Sequence, residues 1–259
     1  LNVWSAPTPK DGIITELALM EGSDPAELPK LNARGKIVLT GAYTRGLKRY
    51  LDPNGIPGFV SDNIESNNRD FINANQWLNG WTDKPGWWFN DYDSRNNFSF
   101  SISQKKANYL RELLRAGRTV KVRAKIDSQY YSDGKLPILT GLIRGSDSDG
   151  EEVLITGHLN EWGANDNASG VSASIEAVGV LNTLINSGML PRPKRSIRLL
   201  FGAEMYGSIP YVVKNLPKMQ GKIIAAICCD TPTADYDAST TMLNIGLNPN
   251  VCPSYTDAV

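Results

Sequence analysis

The 259 residues include one histidine, three cysteines and no long apolar run. A single histidine confines any imidazole chemistry to one position, His158. Cys228, Cys229 and Cys252 offer no disulfide framework, and the adjacent pair falls in an apolar strand where buried thiols are expected, so cysteine does not decide the redox compartment. With no long apolar run, the composition points to a soluble globular chain rather than one inserted in a membrane. Net charge is missing too: 27 basic residues balance 27 acidic ones, which argues against bulk attraction to nucleic acid or to an anionic membrane. No internal repeat or low-complexity segment stands out, and the length suits one large or two modest domains.

What the chain does carry is concentrated between Gly157 and Gly170, where His158 is followed eight residues later by Asp166, set between Asn165 and Asn167. Glu152 to Gly157 is a short β-branched apolar run that reads as a buried strand with His158 at its carboxyl end. Val171, Ile175, Val178, Leu181, Leu184 and Ile185 then recur at helical spacing, with Asp166 or Asn167 able to cap the first turn and Ser187-Gly188 and Pro191 ending it. Two more apolar strands follow, 196–201 running into Glu204 and 223–229 running into Asp230, with another helix expected near 206–216. If the strands are parallel, His158, Glu204 and Asp230 share one rim with Asp166, where open α/β sheets hold their ligands. One neutral imidazole nitrogen and two carboxylate oxygens suit zinc, leave a position for water, and spare Glu204 as a base.

Gly-His, then Asn-Asp-Asn-Ala-Ser-Gly, then a strand ending Ala-Glu and a strand ending in Asp, over about residues 136–231, resembles the co-catalytic zinc exopeptidases. That family spans secreted aminopeptidases, glutamate carboxypeptidase, glutaminyl cyclases and the transferrin receptor ectodomain. The resemblance implies that His158, Asp166 and Asp230 hold a first zinc, that Asp166 bridges to a second, and that Glu204 is the general base. It also implies peptide substrates and a secreted or periplasmic location. Three departures are visible. Met205 stands where the family has a second Glu, and a thioether is a poor substitute for hard oxygen. No His follows Asp230, so the second site also lacks its imidazole. Asn160 replaces the Asp that orients the first His, and can accept a hydrogen bond only without charge.

The front half reads as a second module. Gly35 to Gly41 is a strand between glycine turns, Gly46 to Leu51 a possible short helix, and Gly55 to Asp62 another strand. Residues 98–103 precede an amphipathic segment, Gln104 to Ala116, and a closing strand, Thr119 to Ile126. This order resembles the protease-associated domain inserted into such exopeptidases, and implies a lid or substrate-selection role. The expected architecture is therefore α/β: residues 1–127 a β-rich α+β domain with its lead, and residues 128–259 a partial exopeptidase sheet flanked by helices. Trp77, Trp81, Trp87 and Trp88 are expected to pack a long loop onto its domain, while Trp162 is the better candidate for a pocket wall.

The chain starts at Leu1 with no signal sequence, as a processed form or a fragment would, and family comparison implies that scaffold is missing at both ends. Asn97-Phe98-Ser99 and Asn167-Ala168-Ser169 match glycosylation sequons, the second better explained by the metal loop. The leading expectation is a zinc-dependent exopeptidase, most simply an aminopeptidase. The rival is a pseudopeptidase retained as a protein- or glycan-binding scaffold, with single-zinc acyl transfer of the cyclase type as a third option. Oligomeric state and residue preference are not legible.

Overall fold

The computed structural model describes residues 1–2, 5–43, 47–64, 69–76, 97–129, 131, 133–147, 149–161, 163–232, 242, 244–247 and 255–258. They form two compact units, Leu1–Ser132 and Asp133–Val259. The four tryptophans of residues 77–88, together with Trp162 and Cys252, lie outside the described residues.

The first unit contains β1 (Ile13–Leu19), β2 (Ile37–Thr40), the single-turn α1 (Lys48–Leu51), β3 (Gly58–Ser61), β4 (Phe98–Ser101), α2 (Gln104–Arg115) and β5 (Lys121–Ala124). The sheet runs β4-β3-β2-β1-β5, parallel except for β5, which closes antiparallel on β1. Central β2 is buried at all four positions, as expected of a parallel strand covered on both faces. One face packs Val38 and Phe59 against Leu47, Leu51 and Leu28; the other packs Leu17, Ile37 and Phe98 against Leu110 and Leu114 of α2. α2 starts at Ser103, whose hydroxyl accepts from Lys106 N–H. Arg111 of α2 makes a two-pronged ion pair with buried Asp62, at 2.7 and 2.5 Å, tying the helix to the end of β3. Asn97, the first sequon asparagine, is 5% exposed and donates to Asp52 and to the Ile56 carbonyl, so its amide is structural rather than offered to glycosylation.

The second unit contains β6 (Leu139–Ile143), β7 (Glu152–His158), α3 (Ala168–Asn186), β8 (Ser196–Gly202), α4 (Glu204–Met219) and β9 (Ile223–Cys228). The order is β6-β8-β7-β9, with β7 parallel to both neighbours and β6 antiparallel on β8. α3 and α4 are the crossovers that parallel pairing requires. Val171 and Val178 of α3 pack on Ile155, Leu199 and Phe201 to make the core. By length and composition alone α3 would pass for a membrane span. Its packing against β7 and β8 gives it the role of a sheet-covering helix. Burial of the cysteine pair is corrected: Cys228 is exposed and Cys229 half-buried, because β9 is the edge of the described sheet. β7 is likewise only half-buried over most of its length.

Candidate metal centre

Sheet register brings the chemistry to one rim. His158 closes β7 and pairs with Gly202, the last residue of β8. Two residues on, Glu204 opens α4. On the other flank Thr156 pairs with Cys228 of β9, and Cys229 N–H donates to Thr156 O at 2.9 Å, which carries Asp230 level with His158. The order β8-β7-β9 thus sets Glu204, His158 and Asp230 side by side, and the loop after β7 returns Asp166 to the same place.

His158 Nε2 lies 3.2 Å from Asp166 Oδ1 and 3.4 Å from Asp230 Oδ1. Atoms bound at about 2.0–2.1 Å to a tetrahedral zinc stand roughly 3.3–3.4 Å apart, so both separations from His158 Nε2 match edges of such a site. The imidazole is buried while both aspartates are about half exposed, which leaves the site open on one side.

Electrostatics point the same way. Glu161, which the sequence reading did not single out, is half-buried as a residue, with its side chain 7% exposed and Oε2 3.8 Å from His158 Nδ1. Its carboxyl is pushed up to about 8, first by burial, then by its hydrogen bond to Asp166 and the charges of Asp166, Glu204 and Asp230. Glu204 is also raised, first by burial and further by Asp230 and Asp166, with His158 acting in the opposite sense. Four carboxylates around one imidazole repel one another until a cation offsets them. The donor set therefore fits one zinc. Met205, beside Glu204, offers only a thioether, a poor ligand for a hard cation.

Asn167 fastens the loop. It is 1% exposed, and its Nδ2 donates to Cys229 O at 2.9 Å while Oδ1 accepts from Gly170 N–H at 3.1 Å and Thr231 N–H at 3.2 Å. Of the two capping candidates, Asn167 is the N-cap of α3. Asp166–Asn167 is a cis peptide bond. Thr231, just after Asp230, adopts φ 47°, which turns its N–H into this network. A Cβ on Gly170 would collide with the Cys229 carbonyl, so the close approach of α3 to the end of β9 requires glycine there.

Asn160 is not on His158. Its Oδ1 accepts from the backbone N–H of Glu204 at 3.1 Å, bracing the start of α4. Met205 lines a cavity of about 260 Å³ beside His158, Glu204 and Asp230, walled by Ile138, Leu200 and Cys228. Glu161 could have been noticed: an acid appears one residue after the position where Asn160 lacks one.

Fold and donor set together give an α/β sheet with a candidate metal site at one rim. Comparison with known proteins narrows this. Residues 139–237 match the Peptidase family M28 model. Carboxypeptidase Q of Bos taurus is 31% identical over 113 residues, covering 42% of this chain and 23% of the relative. Carboxypeptidase Q of Xenopus laevis is 25% identical over 211 residues, covering 78% and 43%. Among solved structures, the zinc aminopeptidase BSAP from Bacillus subtilis superposes with TM-score 0.60 at 18% identity, over 90% of this chain and 53% of that one. A peptidase M28 precursor from Shewanella amazonensis gives TM-score 0.58 at 18% identity, over 87% and 53%. The chain thus spans under half the length of these curated relatives and about half that of the solved structures. Over residues 139–237 its second unit is thus similar to the co-catalytic zinc exopeptidases.

Proposed function

We propose that this chain is the zinc-holding part of an exopeptidase acting on peptides, most simply an aminopeptidase. The observation that carries this reading is the placement of His158 Nε2 within 3.2 and 3.4 Å of two aspartate oxygens, next to Glu204 at the head of α4. His158, Asp166 and Asp230 would hold the metal. Zinc bound there supplies a Lewis acid and an acidified water. Glu204, whose burial strengthens its hold on a proton, would be the general base that holds the proton between water and the leaving amine. Asn160 keeps Glu204 at the rim through its backbone N–H.

The aminopeptidase named among the structural neighbours supports trimming from the amino end, while the curated relatives carry the name carboxypeptidase. The first unit is read as a protease-associated domain with a part in substrate selection. A secreted or periplasmic location accords with the precursor named in Shewanella amazonensis.

Met205 favours the second reading, a pseudopeptidase that keeps the fold for binding. An aminoacyl-anilide assay with elemental analysis on the full-length protein separates the two. Bound zinc and hydrolysis are expected, with Glu204→Gln abolishing turnover and leaving the metal in place. Substantial activity in that variant removes Glu204 from the role of base; neither metal nor hydrolysis leaves the binding scaffold standing.

A further inference from the structure

His158 has two ring nitrogens, and only one is provided for. Nε2 faces Asp166 and Asp230. Nδ1 is buried and, among the described residues, has no hydrogen-bond partner, on a side chain only 8% exposed. An imidazole that gives one nitrogen to a metal carries its proton on the other, and a buried N–H is costly to leave unpaired. Metal-bound histidines usually donate that proton to a carboxylate, a carbonyl or a water, which fixes the tautomer and the ring orientation.

Asn160 is turned elsewhere, its oxygen accepting from Glu204 N–H. Glu161 can take that proton. Its Oε2 is 3.8 Å from Nδ1 on a side chain 7% exposed, too far for a hydrogen bond as it stands and about 1 Å from making one. Asp166 stands close on its other side, an oxygen of each carboxyl lying within 4.8 Å of the other.

We infer that Glu161 is the carboxylate partner of His158, accepting the Nδ1 proton and holding the ring with Nε2 toward Asp166 and Asp230. This rests on the zinc reading of the site. A cation drawing on the Asp166 oxygens competes with the Glu161 contact and frees Glu161 to turn to Nδ1. Glu161 is then a positioning residue, and the acid absent at position 160 is supplied one residue later. A rival role is direct ligation, since oxygens of Glu161 and Asp166 and a His158 nitrogen lie within 4.8 Å of one another. Against it, Glu161 is paired with Nδ1, whereas both aspartates are paired with Nε2.

The chain's lone histidine makes the test direct. Nitrogen-15 histidine labelling of the full chain gives a single imidazole whose nitrogens report separately. On adding zinc, Nε2 is expected to take a metal-bound shift and Nδ1 to carry a slowly exchanging proton. Glu161→Ala should lose that proton to solvent exchange and weaken zinc binding roughly 10–100-fold in chelator competition, with one zinc still on Nε2. The near-isosteric Glu161→Gln keeps an acceptor but no charge, and should retain the proton while binding zinc more weakly than the unsubstituted chain. An unchanged proton and unchanged affinity in Glu161→Ala overturn the inference, as does full affinity in Glu161→Gln should the alanine variant not fold. Loss of zinc stoichiometry with the Nδ1 proton intact makes Glu161 a ligand instead. Failure of zinc to reach Nε2 in the unsubstituted chain removes this inference and the zinc reading together, an outcome the Nε2 signal distinguishes from failure of the Glu161 role alone.

Discussion

Asn167 and Cys229, 62 residues apart, are joined by one hydrogen bond from the asparagine amide to the cysteine carbonyl at 2.9 Å. That bond fastens the loop bearing Asp166 to the strand end bearing Asp230, and the same side chain caps α3. Asn167→Ala would leave the Cys229 carbonyl and the Gly170 and Thr231 N–H groups unpaired. A loss of about 2–4 kcal/mol is expected in urea denaturation, combining a lost cap with buried unpaired groups. Asn167→Asp, which keeps the acceptor and loses the donor, should fall between.

Gly170→Ala tests the same junction by volume instead of polarity. The added methyl meets the Cys229 carbonyl and the Asn167 side-chain oxygen, both fixed by the network. A destabilisation of about 1–3 kcal/mol is expected in thermal melts. Weaker zinc retention should accompany it, because the spacing of Asp166 and Asp230 would open.

Met205→Glu should restore a hard ligand beside Glu204. Elemental analysis of the unsubstituted chain is expected to give about one zinc per chain, and the variant should take up a second, weaker equivalent. Unaltered stoichiometry would show that position 205 does not face a second metal.

Acidity gives the metal-free chain a slope of known sign. Glu161 binds its proton up to about 8 in the folded protein, against an ordinary 4.5, and Glu204 is shifted in the same direction. Groups raised on folding stabilise fully below the unfolded value, and that stability is lost as pH climbs through the folded one. In chelator, the melting temperature should therefore decline between about pH 5 and pH 8, and Glu161→Gln should flatten the decline. Zinc should reverse the trend, since its ligands bind it only when deprotonated.

The strand, loop and helix around His158 were legible because burial writes itself into local pattern: β-branched runs for β7 and β8, helical spacing from Val171 to Ile185. Rim placement of Glu204 and Asp230 followed from strand ends alone. Edge and centre did not, because strand order is a long-range property; apolar composition at Cys228 and Cys229 suggested burial, and the edge position of β9 exposes Cys228. β1 and β6 went unnamed, the first being half-buried without clean alternation and the second short and mostly exposed. Glu161 was hidden for another reason. Apart from its place next to Asn160, nothing local distinguishes an acid packed beside an imidazole from a solvated one in a loop.

The parallel register of β8, β7 and β9 makes this sheet a ruler for the site. Each strand advances about 3.3 Å per residue and turns successive side chains to opposite faces. One residue inserted in β8 would turn Glu204 away from its neighbours, and two would restore its facing while overshooting the rim by roughly 6.6 Å. Between Gly163 and Asn165 the loop carries no such constraint along its length, provided Asp166 and Asn167 return to the end of β9. Descent with change in this protein is therefore free to rewrite loops and outer helix faces, and is held to the count of residues in three short strands.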